Sequence, residues 1–401
     1  MIRRVFKAFQ YRDFRLMWIG ACTSTIGTWM QNVAQAWLIY TLTNSQFLLA
    51  LDQALIGLPV MLFSVVGGVI ADRVDRRYAL LGSQYVQMAS AFTLTVLVVL
   101  NIVKVWEILS LSFLVGCAQS FGGPAYSALI PTLVDKEDMP NAIALNSIQF
   151  NVAVTIGPAL GGIALHSLGM AWCFGLNGIS FLAPIIVLGM LQTRFLPERT
   201  SESILSSMRQ GFRFIRKQGA MAMLIVLAFL MTFLAVPART FLPVFARDIF
   251  HRESETYAMF LSVSGLGSIV GALAVAGLGN VRNKGRVALF MLVCLGATIS
   301  GFALSTSLVI SYLMLFLFGG SMIAVFAMVI SLVQLITTNE MRGRVMSVYN
   351  TAFRGGMPVG NLVTGWLVPI FTAPLVLSVA GLMIIALALY FLLIERRVAE
   401  L

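Results

Sequence analysis

Residues 47–77 read FLLALDQALIGLPVMLFSVVGGVIADRVDRR. Positions 47–71 carry a single charge, Asp52, and then Asp72, Arg73, Asp75, Arg76 and Arg77 crowd into six residues. As a helix, 47–71 is about 37 Å long, more than the roughly 30 Å of a bilayer's hydrocarbon core. Such a run crosses a membrane and stops at its far interface. The same pattern recurs at 14–41, 78–100, 106–130, 140–165, 170–191, 220–247, 257–280, 286–306, 309–335, 345–371 and 373–394, which predicts twelve membrane helices.

Composition agrees. The chain of 401 residues is 59% hydrophobic and 11% charged, with a mean hydropathy of +0.91. Soluble domains carry roughly 25% charged residues, so an ordinary soluble enzyme is excluded. Cys22, Cys117, Cys173 and Cys294 sit inside apolar runs and read as small packing residues, not as a disulfide framework. His166 and His251 are far apart, and no metal or other cofactor is expected.

The net charge of +11 points either to nucleic acid or to basic loops on one side of a membrane. Distribution decides between them. With the N-terminus in the cytoplasm, 22 of the 27 bases fall in inward segments and three, Lys104, Arg247 and Arg252, fall outside. Arg239 and Arg354 lie within spans. By the positive-inside rule both termini are cytoplasmic and no nucleic-acid partner is needed. The first apolar run exceeds a secretory h-region, so no cleaved leader is expected.

The longest loop divides the sequence into 1–191, a linker at 192–219, and 220–401. Within the linker, Ile204, Leu205, Met208, Phe212 and Ile215 recur at helical spacing among Arg209, Arg213, Arg216 and Lys217. That pattern fits an amphipathic helix on the inner leaflet, or a solvated linker helix. The halves also echo each other. Ser147 and Gly157-Pro158-Ala-Leu-Gly161-Gly162 in the fifth span match Ser347 and Gly356-Met-Pro358-Val-Gly360 in the eleventh, with serines and prolines 200 positions apart. Val66-Gly67 likewise matches Val270-Gly271. A duplicated six-helix unit is the architecture of alternating-access carriers.

Gly68-Val-Ile-Ala-Asp72-Arg73-Val-Asp75-Arg76-Arg77 resembles the loop 2–3 signature of the major facilitator superfamily, with Asp75 where glycine is usual. Pro124-Ala-Tyr-Ser-Ala-Leu-Ile-Pro131, Asn141-Ala-Ile-Ala-Leu-Asn146-Ser147, Gly211-Phe-Arg-Phe-Ile-Arg and Met341-Arg-Gly-Arg-Val-Met346 resemble its bacterial enterobactin-exporter and macrolide-efflux branch. Gly157, Pro158, Gly161 and Gly162 resemble the fifth-span motif of exporters and antiporters. The resemblance implies an all-α integral membrane fold: twelve transmembrane helices in two pseudo-symmetric six-helix bundles. It further implies a monomer in the bacterial inner membrane, exporting a siderophore-like or amphipathic drug-like molecule by proton-coupled alternating access. An importer, a lipid or lysolipid transporter, and a transporter-like sensor share this fold. The fourth span lacks the arginine many drug–proton antiporters carry there. Neither a nucleotide-binding loop nor a clustered set of catalytic residues is present.

Polar residues inside spans are the candidate site. Thr28, Gln31, Asn32 and Gln35 form a stripe on the first span, Asn151 lies on the fifth, and Asn350 and Arg354 lie on the eleventh. Lipid cannot satisfy such faces, so they line a substrate cavity or bond to other helices. Asp52, in the second span, and Arg239, in the seventh, sit at compatible depths. They read as an outer gate pair with Asp52 as the coupling acid, or as a structural ion pair.

Overall fold

The computed structural model describes residues 6–73, 75–191, 210, 212–216, 218–278, 283–338 and 340–400, with the backbone alone at 64–73. No strand occurs among them. Twelve helical stretches follow one another: α1 (Arg12–Thr43), α2 (Gln46–Arg73), α3 (Arg76–Val99), α4 (Val105–Leu129), α5 (Met139–Ser167), α6 (Met170–Ser180 and Leu182–Met190), α7 (Gly219–Ala235, continued in short turns to Ile249), α8 (Ser254–Leu278), α9 (Lys284–Leu304), α10 (Leu308–Leu335), α11 (Arg342–Phe371) and α12 (Ala373–Leu393). Nine helices among the described residues are long and apolar enough to cross a membrane. The other three, α1, α3 and α11, are as long but carry polar stripes that lower their hydropathy. Those stripes are turned to helix–helix contacts in α1, where Ser24, Gln31 and Gln35 are buried, and in α3, where Ser83, Gln87 and Ser90 are.

Two compact units form. One comprises Met1–Thr43 and Leu58–Ser201, the other Asn44–Gly57 and Glu202–Leu401, so the first turns of α2 belong to the second unit. In the first unit α1 packs on α5 and α6, and α3 on α4 and α6. In the second α7 packs on α11, α8 on α10, and α9 on α10 and α12.

The sequence repeat is visible as repeated packing. On α5, a methyl group added at Gly161 would stand 2.9 Å from the Met30 carbonyl oxygen of α1, and one at Gly157 2.5 Å from the Trp29 Cβ. On α11, methyl groups at Gly356 and Gly360 would meet the Phe229 and Phe233 carbonyls of α7. In each unit, therefore, glycines one turn apart seat the unit's first long helix against its fifth. Small residues at this spacing are what lets helix backbones touch where apolar side chains gain nothing over lipid.

A chain end is tied into each unit. Near the N-terminus, Lys7 Nζ lies 2.8 Å from Asp138 Oδ1, Gln10 Nε2 donates to Asp138 at 3.0 Å, and the Tyr11 hydroxyl donates to Asp135 at 2.8 Å. The Ala8 amide donates to Asn141 Oδ1 at 2.9 Å. At the other end Val398 and Ala399 are buried, with the Val398 carbonyl against Gly285 at the start of α9. Of the linker read at 192–219, only 210, 212–216 and 218–219 are described; 212–216 is helical, with Ile215 buried and Phe212 exposed.

Candidate functional site

The α1 stripe is spent largely inside the first unit. Gln31 Nε2 donates to Gln35 Oε1 at 3.2 Å, Gln35 Nε2 to Ser112 of α4 at 2.9 Å, and Asn177 Nδ2 of α6 to Gln31 Oε1 at 2.7 Å. All four residues are buried. A buried amide without a partner costs roughly 1–3 kcal/mol, so this network fixes how α1, α4 and α6 meet. Thr28 and Asn32 are half-buried beside it, and Thr28 bonds back to the Ser24 carbonyl at 2.9 Å. Asn151 is half-buried on α5 and donates to the Ser147 carbonyl at 2.8 Å. Ser112 and Asn177, absent from the sequence reading, are the network's other half. A lone serine or asparagine in an apolar run gives little signal until its partner is known.

The loop 2–3 signature holds helix ends. Arg76 Nη1 donates to the Ala128 carbonyl at the end of α4, 3.1 Å away. Arg77 Nη2 donates to the Gly189 carbonyl at the end of α6, 3.0 Å away. Both carbonyls lie in final turns, the negative end of the helix dipole, where a guanidinium is favoured. Asp75, where glycine is usual, caps α3 by accepting from the Arg77 amide at 2.9 Å. For Gly68, Asp72 and Arg73 the backbone alone is described, as the end of α2. Pro158 and Gly162 are buried alongside Gly157 and Gly161.

On α11 the polar face is open. Asn350 and Arg354 are both exposed and one turn apart. Arg354 stands twelve residues into a 30-residue helix, about 18 Å along its axis. Beside this stripe runs an aromatic one: Tyr349 stacks on Phe353, and Phe326 of α10 meets Phe353 edge-on at 4.7 Å between centroids. No hydrogen bond or ion pair to Arg354 is found among the described residues. A guanidinium at such depth costs at least roughly 2.5 kcal/mol if it faces lipid. The arrangement is suited to an oxygen-rich ligand, because the planar fork of five donors holds oxygens.

Asp52 and Arg239 both belong to the second unit. Asp52 is fully buried and accepts from Gln53 Nε2 at 3.1 Å. Arg239 sits on a short helical turn, Pro237–Thr240, bounded by Val236 and Phe241; its neighbour Thr240 bonds to Asn361 of α11 at 3.0 Å. Tyr257 of α8 is 4% exposed and lies within electrostatic reach of both residues. The sequence reading missed it, since one tyrosine at the start of an apolar span passes for an interfacial ring. The second unit also has an apolar cavity of about 220 Å³ between α8, α9 and α10, lined by Gly271, Met291 and Met328 among others and by no charged group.

Known proteins place this geometry. The family model described as transmembrane secretion effector, a branch of the major facilitator superfamily, matches residues 4–400. The enterobactin exporter of Citrobacter koseri is 26% identical over 386 residues, covering 96% of this chain and 92% of that protein. That of Escherichia coli O1:K1 is 26% identical over 389 residues with the same coverage. Among solved structures, a POT family transporter in complex with 5-aminolevulinic acid superposes with a TM-score of 0.76 at 11% identity, covering 96% of both chains. A nucleoside transporter does so at 0.73 and 14% identity, over 95% of this chain and 98% of that one. Likeness at such low identity is one of fold alone. A match along nearly the full length makes this chain a member of the transmembrane secretion effector family of major facilitator transporters.

Proposed function

We propose that the chain exports a small, oxygen-rich amphipathic molecule, siderophore-like or drug-like, from the bacterial cytoplasm across the inner membrane by alternating access in exchange for protons. The observation that carries the substrate class is the open Asn350–Arg354 face of α11 with its adjoining aromatic stripe. The curated relatives are named as enterobactin exporters, which supports the exporter reading. Arg354 is the substrate-orienting cation and Asn350 its neighbour on the same face, while Thr28, Asn32 and Asn151 are the first unit's own candidate substrate-contacting groups. Gln31 and Gln35 act one step back, holding the helix that presents Thr28 and Asn32. Asp52 and Arg239 serve coupling or gating.

The test is uptake of enterobactin into everted membrane vesicles under an imposed pH gradient. Wild-type vesicles accumulate it, Arg354→Ala vesicles lose at least tenfold in apparent affinity, and Arg354→Lys recovers only part, since a point charge does not replace a planar fork. Unchanged affinity in Arg354→Ala removes the substrate contact. No accumulation by wild-type vesicles of enterobactin, or of a panel of amphipathic acids and macrolides, removes the exporter reading.

A further inference from the structure

α8 and α9 both pack on α10, and the apolar cavity of about 220 Å³ lies between them with α10 as its floor. Small residues make the space. A methyl group at Gly271 of α8 would stand 2.5 Å from the Gly320 carbonyl oxygen of α10, and one at Gly267 would meet the Phe316 carbonyl. Beside this seam the lining includes Ala274 and Ala324, which fill little volume. Val270 and Leu317 also line the cavity and are exposed, so it opens on the surface as a slot.

The slot has little to offer water. Of the side chains that line it Ser321 alone is polar, and its hydroxyl already donates to the Leu317 carbonyl at 2.8 Å. A held water wants roughly two to four polar partners, whereas an apolar cavity of about 150 Å³ stays dry and takes a benzene-sized guest. This larger slot suits a hydrocarbon. Met291 and Met328 give it walls that adapt to a flexible one.

Its depth matches one leaflet. α8 ends at Leu278 and α9 begins at Lys284. Measured from that end, the lining on α8 runs from Val275 to Gly267. Along the axis that is about 4.5 to 16.5 Å, against roughly 15 Å for half of a bilayer's hydrocarbon core. Lys284 heads the face of α9 that continues through Val287 and Met291, by their i, i+3, i+7 spacing. Lys284 is half-buried and Arg286 is exposed, and no hydrogen bond or ion pair to either is found among the described residues. Glu395, in the tail whose Val398 meets Gly285, is taken by Arg397 at 3.0 Å.

A cation at headgroup level above a dry, leaflet-deep slot matches the two parts of an anionic lipid. We propose that the slot between α8 and α9 binds one anionic phospholipid, with an acyl chain lying against α10 and the phosphate at Lys284. The ammonium meets the phosphate as a point charge, and Arg286 adds to the attraction. By the positive-inside rule this end faces the cytoplasm, so the lipid comes from the inner leaflet. The site shares no residue with the Asn350–Arg354 face and does not depend on what that face carries.

The test uses the full-length protein in phosphatidylcholine vesicles with a minor fraction of phosphatidylglycerol whose acyl chain bears a photoreactive group. After illumination, labelled peptides are mapped by mass spectrometry. Label is expected within 270–275, 287–291 and 317–328. Lys284→Gln lowers it about fivefold, the worth of one base toward an anionic lipid, and Lys284→Arg keeps most of it. Ala274→Phe, which fills the slot from an exposed position, removes it, with a thermal midpoint equal to that of the wild type. A phosphatidylcholine probe with the same chain labels the slot about fivefold less than the anionic one, for the same reason. Equal label in the wild type, Lys284→Gln and Ala274→Phe overturns the site. Equal label from the two probes leaves a slot without headgroup selection and overturns it too. Displacement of the probe by enterobactin but not by unlabelled phosphatidylglycerol assigns the slot to an exported molecule and overturns the lipid reading.

Discussion

Thr372 and Gly169 occupy matching places in the two halves, the turns joining α11 to α12 and α5 to α6. Their backbones match as well: φ 74°, ψ 149° at Thr372 and φ 90°, ψ 170° at Gly169. That region suits glycine, and a β-branched residue there is strained by on the order of 1–3 kcal/mol. Thr372 makes no capping hydrogen bond in return. Thr372→Gly is therefore expected to stabilise the protein by about 1 kcal/mol after the entropy cost of glycine, raising its thermal midpoint in detergent, while Gly169→Thr lowers it. Equal midpoints would show that the Thr372 turn relaxes at no cost. Legibility in the sequence differed residue by residue for similar reasons. The glycines at 157, 161, 356 and 360 were readable because close approach of two backbones admits almost nothing else. Gln31 and Gln35 were readable as polar residues but not as a network, because Ser112 and Asn177 are 77 and 146 positions away from them.

At the scale of elements, the N-terminal turn around Lys7–Gln10 clasps the start of α5 through Asp138. Its hydrogen bond from Lys7, helped by those from Tyr11 and Gln10, holds the Asp138 carboxyl below its ordinary value of 3.8. The same contact holds the Lys7 ammonium above 10.5. The signs follow directly. The depressed acid favours the clasp above pH 3.8 and gives that up as pH falls through its lowered value. The raised base favours it below pH 10.5 and gives that up as pH climbs past its raised value. Amide protection factors at residues 7–11, taken against the intrinsic exchange rate at each pH, should accordingly stay high across the intervening range and fall at both extremes. Asp138→Asn should lower them at neutral pH; equal protection in that variant would mean the Ala8–Asn141 bond alone secures the turn. The helices themselves were legible from apolar length, and α1, α3 and α11 were the least so by hydropathy because polar faces interrupt their apolar runs.

For the whole molecule, the asymmetry of the bases predicts both termini and the 192–219 linker on the cytoplasmic side. In a variant lacking the four native cysteines, Ser203→Cys and Glu400→Cys should resist a membrane-impermeant thiol reagent in intact cells, and Ile102→Cys should react. The converse pattern would invert the topology. The two units carry a further consequence through their unequal shares of sequence: residues 44–57 are made early but belong with helices made late. At roughly 5–20 residues per second, Arg239 and Tyr257 leave the ribosome about 10–40 s after Asp52. For that interval the nascent second helix presents a carboxyl group to the insertion machinery before the late helices that will bury it exist. Biogenesis of this carrier therefore depends on a waiting stage, in which the acid is tolerated protonated or shielded by an insertase, and a slowed ribosome between codons 60 and 240 should send more of the chain to membrane proteases.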